Sequence, residues 1–407
     1  TTEGGFKQEQ AVFRAVVPAA KSGIVASIIL GIGRAVGETM AVIMVAGNKV
    51  NFPKGLFKSF RVLTANIVME MSYAGEVQLG ALIATGVVLL IFILIVNVLL
   101  GLATGKRGKP GDGKKFKIPF LEKFNRLIRI ETVGKVFSYI CAGVAAVGLI
   151  SIIGFITVKG VPHLSGQLLF GEYKIAEKIS IFPSIAATFI TVGISLIIAV
   201  PIGVATAIFL NEYTKKGSKL VRVIRSAIDV LSGIPSIVYG LFGMVTFVVW
   251  FGTTKSILAG SFTISLMLLP VVVRSEESLR SVDDSLREGS FALGAGKVRT
   301  IFKIVLPSAL PGIMSAVILS MGRVVSESAP FMYTMGSTLS PMPHGVSDSG
   351  TTLAVALYKL SQEGFYVNEA YATAFVLLVI VLLLNTLASV LSTKLEKTLK
   401  GSKNEKK

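Results

Sequence analysis

Long apolar runs separated by short polar segments dominate this chain. Eight of these runs reach the roughly 18–20 residues that an α-helix needs to cross the hydrocarbon core of a bilayer. The predicted spans cover residues 23–46, 79–101, 136–158, 184–210, 227–251, 256–273, 308–333 and 368–391. The pattern therefore predicts an all-α polytopic membrane protein with about eight transmembrane helices.

The composition supports this fold class. Of the 407 residues, 52% are hydrophobic and only 16% are charged, whereas a soluble domain carries about 25% charged residues. The single cysteine, Cys141, excludes a disulfide framework within the chain. The two histidines, His163 and His344, stand far apart in polar loops. We expect this chain to bind no metal and no cofactor of its own.

The net charge of +18 is distributed unevenly. With a cytoplasmic N-terminus, the cytoplasmic segments hold 30 of the 41 lysines and arginines, and the opposite orientation would break the positive-inside rule. The basicity is thus mainly a signal of topology, with some attraction to anionic lipid headgroups, and nucleic acid is not an expected partner. We predict a multi-pass protein of a prokaryotic cell membrane with both termini in the cytoplasm.

Two parts of the chain repeat each other at an offset of 289 residues. The segment VVPAAKSGIVASIILGIGRAVGETMA at 16–41 aligns with VLPSALPGIMSAVILSMGRVVSESAP at 305–330. The similarity extends over the two-helix block 11–100, which recurs at 300–389. Four further predicted spans precede the second copy, and none precedes the first.

This repeat predicts the domain organisation. Residues 1–101 form the C-terminal two-helix part of one membrane unit, and 102–135, rich in Gly, Lys and Pro, form a cytoplasmic linker. Residues 136–392 form a complete six-helix unit, and 393–407 form a basic cytoplasmic tail. We therefore expect a fusion of two units in which the first lacks its N-terminal part.

Each copy of the repeat places an arginine and a glutamate inside an apolar run. Side chains four residues apart share one face of a helix, so each arginine lies beside its glutamate. An ionised group at the bilayer centre costs about 2.5–3.5 kcal/mol on insertion scales. Each arginine could simply neutralise its glutamate for insertion, but two copies in equivalent helices favour a shared central pathway. The candidate pathway residues are Arg34, Glu38, Thr39, Arg323, Ser326 and Glu327.

The segment SGIPSIVYG contains three residues that disturb a transmembrane helix. Gly233, Pro235 and Gly240 can break or kink the predicted span 227–251 and allow close helix packing. From the sequence, both a packing role and a position along the pathway remain open.

A polar loop between the spans 256–273 and 308–333 carries a spaced motif. Leu279, Val282, Leu286, Phe291 and Leu293 recur at nearly helical spacing, which predicts one apolar stripe on a short charged helix. Such a helix suits docking to a partner's groove or lying on lipid. Gly294 is predicted to form a turn before a second helix begins near position 298.

The same loop resembles the EAA loop of ATP-binding-cassette (ABC) importer permeases. That motif reads E-A-A, three residues, G, nine residues and I-x-L-P, and in the family its helix docks into the cytoplasmic ATPase. The matching residues are Glu288, Gly289, Ser290, Gly294 and Pro307. Gly289 and Ser290 replace the alanines that the family prefers, which mildly weakens the helix.

Further motifs resemble the membrane subunits of Pst phosphate importers. DVLSGIPSIVYGLFG at 229–243, LPVVVRSEESLRSV at 269–282 and the two GRxxxE helices carry this similarity. Residues 119–407 resemble the PstA subunit, and 1–101 resemble the C-terminal end of PstC. The resemblance implies a type I (MetI-like) ABC importer fold, PstB-like ATPases that hydrolyse MgATP, and an external PstS-like phosphate-binding protein.

Phosphate also fits the chemistry of the duplicated pair. Arginine offers permanently charged donors that match phosphate oxygens. Phosphate at neutral pH keeps at least one P–OH that can donate to a glutamate, whereas sulfate has no such proton. The carboxylate would then favour phosphate and repel sulfate. The glutamates could equally hold the arginines in place.

Other functions remain alternatives at this stage. The chain contains no G-x-x-x-x-G-K-[ST] loop, so we expect it not to be an enzyme and ATP hydrolysis to occur on a partner. The alternatives are a permease for another oxyanion such as sulfate or molybdate, an ion-coupled secondary transporter or anion channel, and a structural scaffold.

Overall fold

A computed structural model describes most of the chain as a bundle of helices. The described residues are 24, 31–32, 35–55, 57–71, 73–104, 130–174, 178–215, 218–362 and 364–404, with the backbone alone at 76, 97–104, 130–135 and 395–404. Arg34 and the linker segment 105–129 lie outside the described residues. Within the described ranges every regular element is a helix, which confirms the all-α prediction.

Within the described residues, three helices belong to the first copy of the repeat. They are α1 (Met40–Val45), α2 (Leu63–Met71) and α3 (Glu76–Thr104). Residues 35–37, just before α1, are also helical, and Glu38 and Thr39 are not.

The second unit begins with two long apolar helices, which are joined by a short one, and continues with two helices that meet at a bend. These are α4 (Ile130–Gly160), α5 (Gly166–Phe170), α6 (Phe182–Ile208, extended by a π-helical segment Phe209–Tyr213), α7 (Lys219–Ser232) and α8 (Ser236–Gly243, extended by a π-helical segment Met244–Trp250). Ser165 caps α5 by accepting a hydrogen bond from the Leu168 N–H at 3.1 Å, as expected for serine at an N-cap.

The remaining helices include the polar loop and the second copy of the repeat. They are α9 (Ile257–Val273), α10 (Glu276–Arg280), α11 (Asp284–Ala292), α12 (Lys297–Thr300, extended by a π-helical segment Ile301–Val305), α13 (Leu306–Ser326), α14 (Ala329–Thr334), α15 (Leu353–Gln362) and α16 (Val367–Asn404). Helices α12 and α13 form one unbroken rod from Lys297 to Ser326.

The core of the bundle is the pair α6–α9. Small hydroxyl residues line this interface: the Ser195 Oγ donates to the Ser261 carbonyl at 3.3 Å, and the Ser265 Oγ donates to the Ser195 carbonyl at 3.3 Å. Small residues let two helix backbones approach closely within a membrane, where apolar packing alone gives little driving force. Helices α8 and α13, which border two of the helix breaks, pack against this pair.

Six described helices are long and apolar enough to cross a membrane, and the bent pair α7–α8 supplies up to one more. Five of these helices confirm the predicted spans at 79–101, 136–158, 184–210, 256–273 and 368–391. Most of the predicted span 23–46 lies outside the described residues.

Two predicted spans differ from the structure. The segment 227–251 is not a straight helix, because α7 and α8 meet at an angle of 100°. The segment 308–333 is not continuous either, since α13 ends at Ser326 and α14 begins at Ala329. Both breaks lie at the residues that form the candidate site.

The internal repeat is visible in the helix boundaries. Helices α1 and α14 begin and end at positions that differ by the predicted offset of 289 residues. Each follows a glutamate and a hydroxyl residue outside regular helix, Glu38 and Thr39 in one copy and Glu327 and Ser328 in the other. The repeat is thus one of structure as well as sequence, whereas the full division into 1–101, 102–135, 136–392 and 393–407 stays a prediction.

Candidate functional site

Three helix breaks converge on one cavity. They lie between residue 37 and α1, between α7 and α8, and between α13 and α14. The cavity has a volume of about 270 Å³, and its lining includes Glu38, Arg323 and Glu327. The hydroxyl residues around it are Thr39, Ser232, Ser236, Ser326 and Ser328. The structure thus brings together every predicted pathway residue except Arg34, which lies outside the described residues.

The break after α13 turns the Glu327 backbone away from the helix axis. Glu327 has φ −78° and ψ 139°, an extended conformation, and its N–H still donates to the Arg323 carbonyl at 3.1 Å. Pro330 explains part of this break, because a proline has no N–H and its ring clashes with the carbonyl four residues earlier. That carbonyl belongs to Ser326, the last residue of α13.

Arg323 and Glu327 form the expected ion pair across this break. The Arg323 Nε lies 3.6 Å from the Glu327 Oε1, and the two side chains are 29% and 18% exposed. Partial burial strengthens the attraction relative to a fully hydrated pair. The guanidinium is therefore held at the cavity wall with part of its donor edge accessible.

The first copy places Glu38 at the equivalent point. Its side chain is exposed, and its Oε1 lies 3.5 Å from the Ala41 N–H in the first turn of α1. The Thr64 hydroxyl donates to the Glu38 carbonyl at 3.3 Å and ties the break to α2. Thr39 is buried and donates to the Gly37 carbonyl at 3.1 Å. Glu38 thus presents a carboxylate to the cavity from the opposite copy.

The third break directs the start of α8 at the same cavity. Pro235, with φ −59° and ψ 143°, precedes α8, and no side chain caps the helix start. The Tyr239 hydroxyl donates to the Leu231 carbonyl at 2.9 Å and braces the bend from inside. Uncapped N–H groups and the positive end of the helix dipole make such a helix start favourable for an anion.

This arrangement answers the question that the sequence left open for SGIPSIVYG. Gly233 and Pro235 line the cavity, whereas Gly240 serves helix packing. A Cβ atom on Gly240 would lie 2.9 Å from the Pro330 Cα of α14. Sequence reasoning missed the α8 N-terminus as an anion-binding element, although the Gly-x-Pro-Ser pattern carries the signal for a helix restart.

Close contacts hold the first copy against the second unit. A Cβ on Gly37 would lie 3.2 Å from the Pro235 Cβ, and one on Gly86 would lie 2.9 Å from the Leu241 Cδ1. The Tyr333 hydroxyl of α14 donates to the Ile67 carbonyl of α2 at 3.4 Å. Glu38 of the first GRxxxE copy therefore meets Arg323 and Glu327 of the second around one space.

The polar loop after α9 folds differently from the predicted single stripe. Leu279 and Val282 are buried at the end of α10, whereas Leu286, Phe291 and Leu293 are exposed on and after α11. Asp283 separates the two helices and caps α11, and the hydrogen bonds it accepts from Ser285 lower the pKa of its carboxyl group. The prediction of one apolar stripe on a single helix was therefore wrong, because a capping residue divides the segment into two helices.

The EAA-like residues lie on α11 and the turn that follows it. Glu288 and Gly289 are exposed, and the Ser290 Oγ lies 2.9 Å from the Thr300 Oγ1 of α12. Gly294 has φ +81°, a conformation that favours glycine, so the predicted turn is present. Pro307 lies in the first turn of α13.

Arg287 anchors this loop to the membrane helices. Its Nη2 lies 3.0 Å from the Glu212 Oε1 at the end of α6, and the guanidinium also donates to the Val282 and Leu279 carbonyls at 2.6 and 2.8 Å. Arg225 of α7 pairs with Glu276 of α10. Neither contact is predictable from a local sequence pattern, because each joins residues more than 50 positions apart.

Residues 199–401 match the family described as the binding-protein-dependent transport system inner membrane component. The chain is 33% identical over 277 residues to the probable ABC transporter permease YqgI of Bacillus subtilis, and the match covers 64% of this chain and 94% of YqgI. The chain belongs to this permease family. It is thus a multi-pass membrane component of an ABC importer and not an enzyme.

The phosphate transport system permease PstA 1 of Mycobacterium tuberculosis H37Rv is 42% identical over 157 residues, which is 38% of this permease. The permease spans about half the length of that relative. These relatives confirm the expected resemblance to Pst-type permeases.

The chain also matches solved transporters at low identity. The MetNI methionine ABC transporter matches with 21% identity and a TM-score of 0.42, covering 53% of the permease and 94% of the solved chain. A bacterial alginate ABC transporter matches with 15% identity and a TM-score of 0.49, covering 66% and 97%.

Proposed function

We propose that this permease moves inorganic phosphate into the cell through the cavity at the three helix breaks. The observation that supports the proposal most strongly is the meeting of Glu38 with Arg323 and Glu327 around one space. The relatives named phosphate permeases point to the same substrate.

The donors of the cavity suit a small oxyanion. Arg323 supplies a permanent positive charge, and its planar fork can bind two oxygens at once. The start of α8 adds uncapped backbone N–H groups. Five hydroxyl side chains of the described residues also line the cavity. By its place in the repeat, Arg34 is assigned the same role in the first copy. Two guanidinium groups would balance the charge of HPO₄²⁻.

The glutamates select for a protonated anion in this proposal. The P–OH group of HPO₄²⁻ donates a hydrogen bond to either Glu38 or Glu327, whereas sulfate has no proton to donate and is repelled by both carboxylates. Glu327 also pairs with Arg323 at 3.6 Å. Phosphate therefore competes with Glu327 for the guanidinium, and this exchange gives the site a way to release its substrate.

Energy would reach the cavity from a cytoplasmic ATPase that docks on the EAA-like loop. Leu293 is 90% exposed and Phe291 is 47% exposed on this loop, which provides an apolar surface for a partner. Ser290 contacts Thr300 at the start of the rod that ends at Ser326. A displacement of α11 would thus be transmitted along one continuous helix to Arg323. MgATP is hydrolysed on the ATPase, and an external phosphate-binding protein delivers the substrate.

A second connection joins the loop to the bend at α8. Arg225 of α7 pairs with Glu276 of α10, and the Arg274 Nη2 lies 3.7 Å from the Asp229 Oδ1, one turn further along α7. Helix α7 leads directly to the break at 233–235. The loop therefore contacts α7, which leads to the start of α8, as well as the rod that carries Arg323.

The proposal is tested by replacing Arg323 in the transporter assembled with its ATPase and binding protein in proteoliposomes. We expect Arg323→Gln to reduce the rate of phosphate uptake at least about tenfold, since a hydrogen bond to a charged group contributes about 1.5–3 kcal/mol. Arg323→Lys keeps the charge but loses the fork, so we expect an intermediate rate. Uptake is measured with radiolabelled phosphate.

Lys255→Gln is the matched control, because Lys255 is exposed before α9 and does not line the cavity. Its uptake should equal that of the unmodified transporter. Co-purification of the ATPase shows that each variant assembles. Full phosphate uptake by assembled Arg323→Gln would contradict the proposal.

A further inference from the structure

A second and larger cavity lies where the ends of the membrane helices meet the EAA-like loop. Its volume is about 470 Å³, and it is bounded by the end of α6, the start of α7, and helices α10 and α11. Among the residues that the structure describes, four cationic side chains line it, against two carboxylates. The charged lining residues are Lys215, Arg225, Arg280, Arg287, Glu212 and Asp284.

The ion pairs of this cavity leave two cations available. Arg287 is neutralised by Glu212, with side chains only 13% and 10% exposed, and Arg225 is paired with Glu276. Within the described part of the chain, Lys215 and Arg280 have no carboxylate within ion-pair distance. Arg225 remains 42% exposed, so part of its guanidinium can contact a ligand. The cavity therefore has a positive excess and free donors.

The surroundings of the cavity are suited to the membrane interface. Leu220, Val223 and Leu231 are 54%, 68% and 40% exposed along one face of α7, and an apolar face of this kind packs against acyl chains. Tyr213, at the end of α6, is 51% exposed, and aromatic side chains are enriched at headgroup level. The cavity is lined by Glu212 and Thr214 on either side of Tyr213 and by Val221 next to Leu220, so it lies beside residues suited to the headgroup region.

We propose that this cavity binds the phosphate group of an anionic phospholipid. Lys215, Arg225 and Arg280 contact the phosphate oxygens, and the acyl chains remain in the bilayer beside α7. Basic pockets between transmembrane helices bind anionic headgroups in this way. The inference is independent of the substrate that crosses the membrane.

The lipid would act on the mechanical connection between the loop and the substrate cavity. Lys215 precedes α7, Arg225 lies on α7, and Arg280 is the last residue of α10. A phosphate group held between them links the two helices in addition to the Arg225–Glu276 pair. Bound lipid should therefore stabilise the contact between α7 and the EAA-like loop.

The test measures lipid binding to the full chain in detergent micelles by native mass spectrometry. Lys215→Gln and Arg280→Gln are combined, because removing two unpaired cations leaves no buried charge behind. Each cation near an anionic surface contributes about a factor of five in affinity. We expect the double variant to bind phosphatidylglycerol roughly 25-fold more weakly, with phosphatidylcholine binding unchanged.

The control removes the same charge elsewhere. Lys49 and Lys54 are exposed in the loop before α2 and do not line the cavity. Lys49→Gln combined with Lys54→Gln should leave phosphatidylglycerol affinity within about twofold of the unmodified chain. An equal loss of affinity in both double variants would overturn the proposal, because net charge alone would then explain binding.

Inorganic phosphate shares the chemistry of the headgroup and is the competing ligand. We expect millimolar phosphate to leave bound phosphatidylglycerol in place, since the lipid is held by its acyl chains as well as its charge. Displacement of the lipid by inorganic phosphate, with the same sensitivity to the double variant, would overturn the assignment to lipid.

Discussion

At the scale of single residues, the charged pairs show what a sequence can and cannot predict. The repeat identified Arg323 and Glu327, and the spacing of four predicted their ion pair, which is present at 3.6 Å. It did not predict that Glu327 lies beyond the end of the helix. Pro330 signals that break in the second copy, but Ala41 occupies the equivalent position in the first, where the helix also breaks. The break therefore depends on tertiary contacts such as that of Thr64 with Glu38.

The role of the glutamates is tested by removing their charge. We expect Glu38→Gln combined with Glu327→Gln to lower the ratio of phosphate uptake to sulfate uptake about tenfold or more, because the amide no longer repels sulfate. The measurement is uptake of each labelled anion by the same proteoliposomes. An unchanged ratio with a lower rate for phosphate would show that the carboxylates only position the arginines.

At the scale of elements, hydrophobic length predicted most spans but not their bends. The run 227–251 is apolar enough to cross a membrane, and only Gly233 and Pro235 within it signal the 100° bend. Helical spacing likewise suggested a single stripe in the polar loop. Asp283 divides that loop by capping α11, and the local sequence alone did not distinguish a capping aspartate from a charge on a helix surface.

Two glycines of the loop should respond in opposite directions to alanine. Gly289 lies within α11 with no atom within 4 Å of a Cβ, so Gly289→Ala should stabilise the helix by up to about 1 kcal/mol. Gly294 has φ +81°, so Gly294→Ala should cost about 1–2 kcal/mol.

Hydrogen exchange of the α11 amides measures both effects. Slower exchange in Gly289→Ala and faster exchange in Gly294→Ala is the expected result. The same direction of change in both variants would contradict the described conformation of the turn.

At the scale of the whole molecule, the repeat proved the most informative feature of the sequence. An offset of 289 residues aligned Arg34 with Arg323, and the structure places α1 and α14 at the same offset. The repeat did not reveal the third helix break at the cavity, which is the bend between α7 and α8. The α7–α8 bend belongs only to the second unit among the described residues, and it lies between the two copies through Pro235. Gly233 and Pro235 signal the bend itself, but its position at the cavity depends on packing across the bundle, which a local sequence pattern does not encode.

The proposed function requires that phosphate occupies the cavity where the three breaks meet. Ser236, the first residue of α8, lines this cavity, so Ser236→Cys in a Cys141→Ser background places the only thiol of the chain there. A Ser265→Cys variant in the same background is the control, because Ser265 is 3% exposed at the α6–α9 interface.

The decisive measurement is the rate at which a hydrophilic thiol reagent labels Ser236→Cys in the assembled transporter during turnover. Phosphate should slow this labelling several-fold, an equal concentration of sulfate should not, and Ser265→Cys should remain unlabelled. Labelling of Ser236→Cys at the same rate with phosphate, with sulfate and with neither would contradict the account.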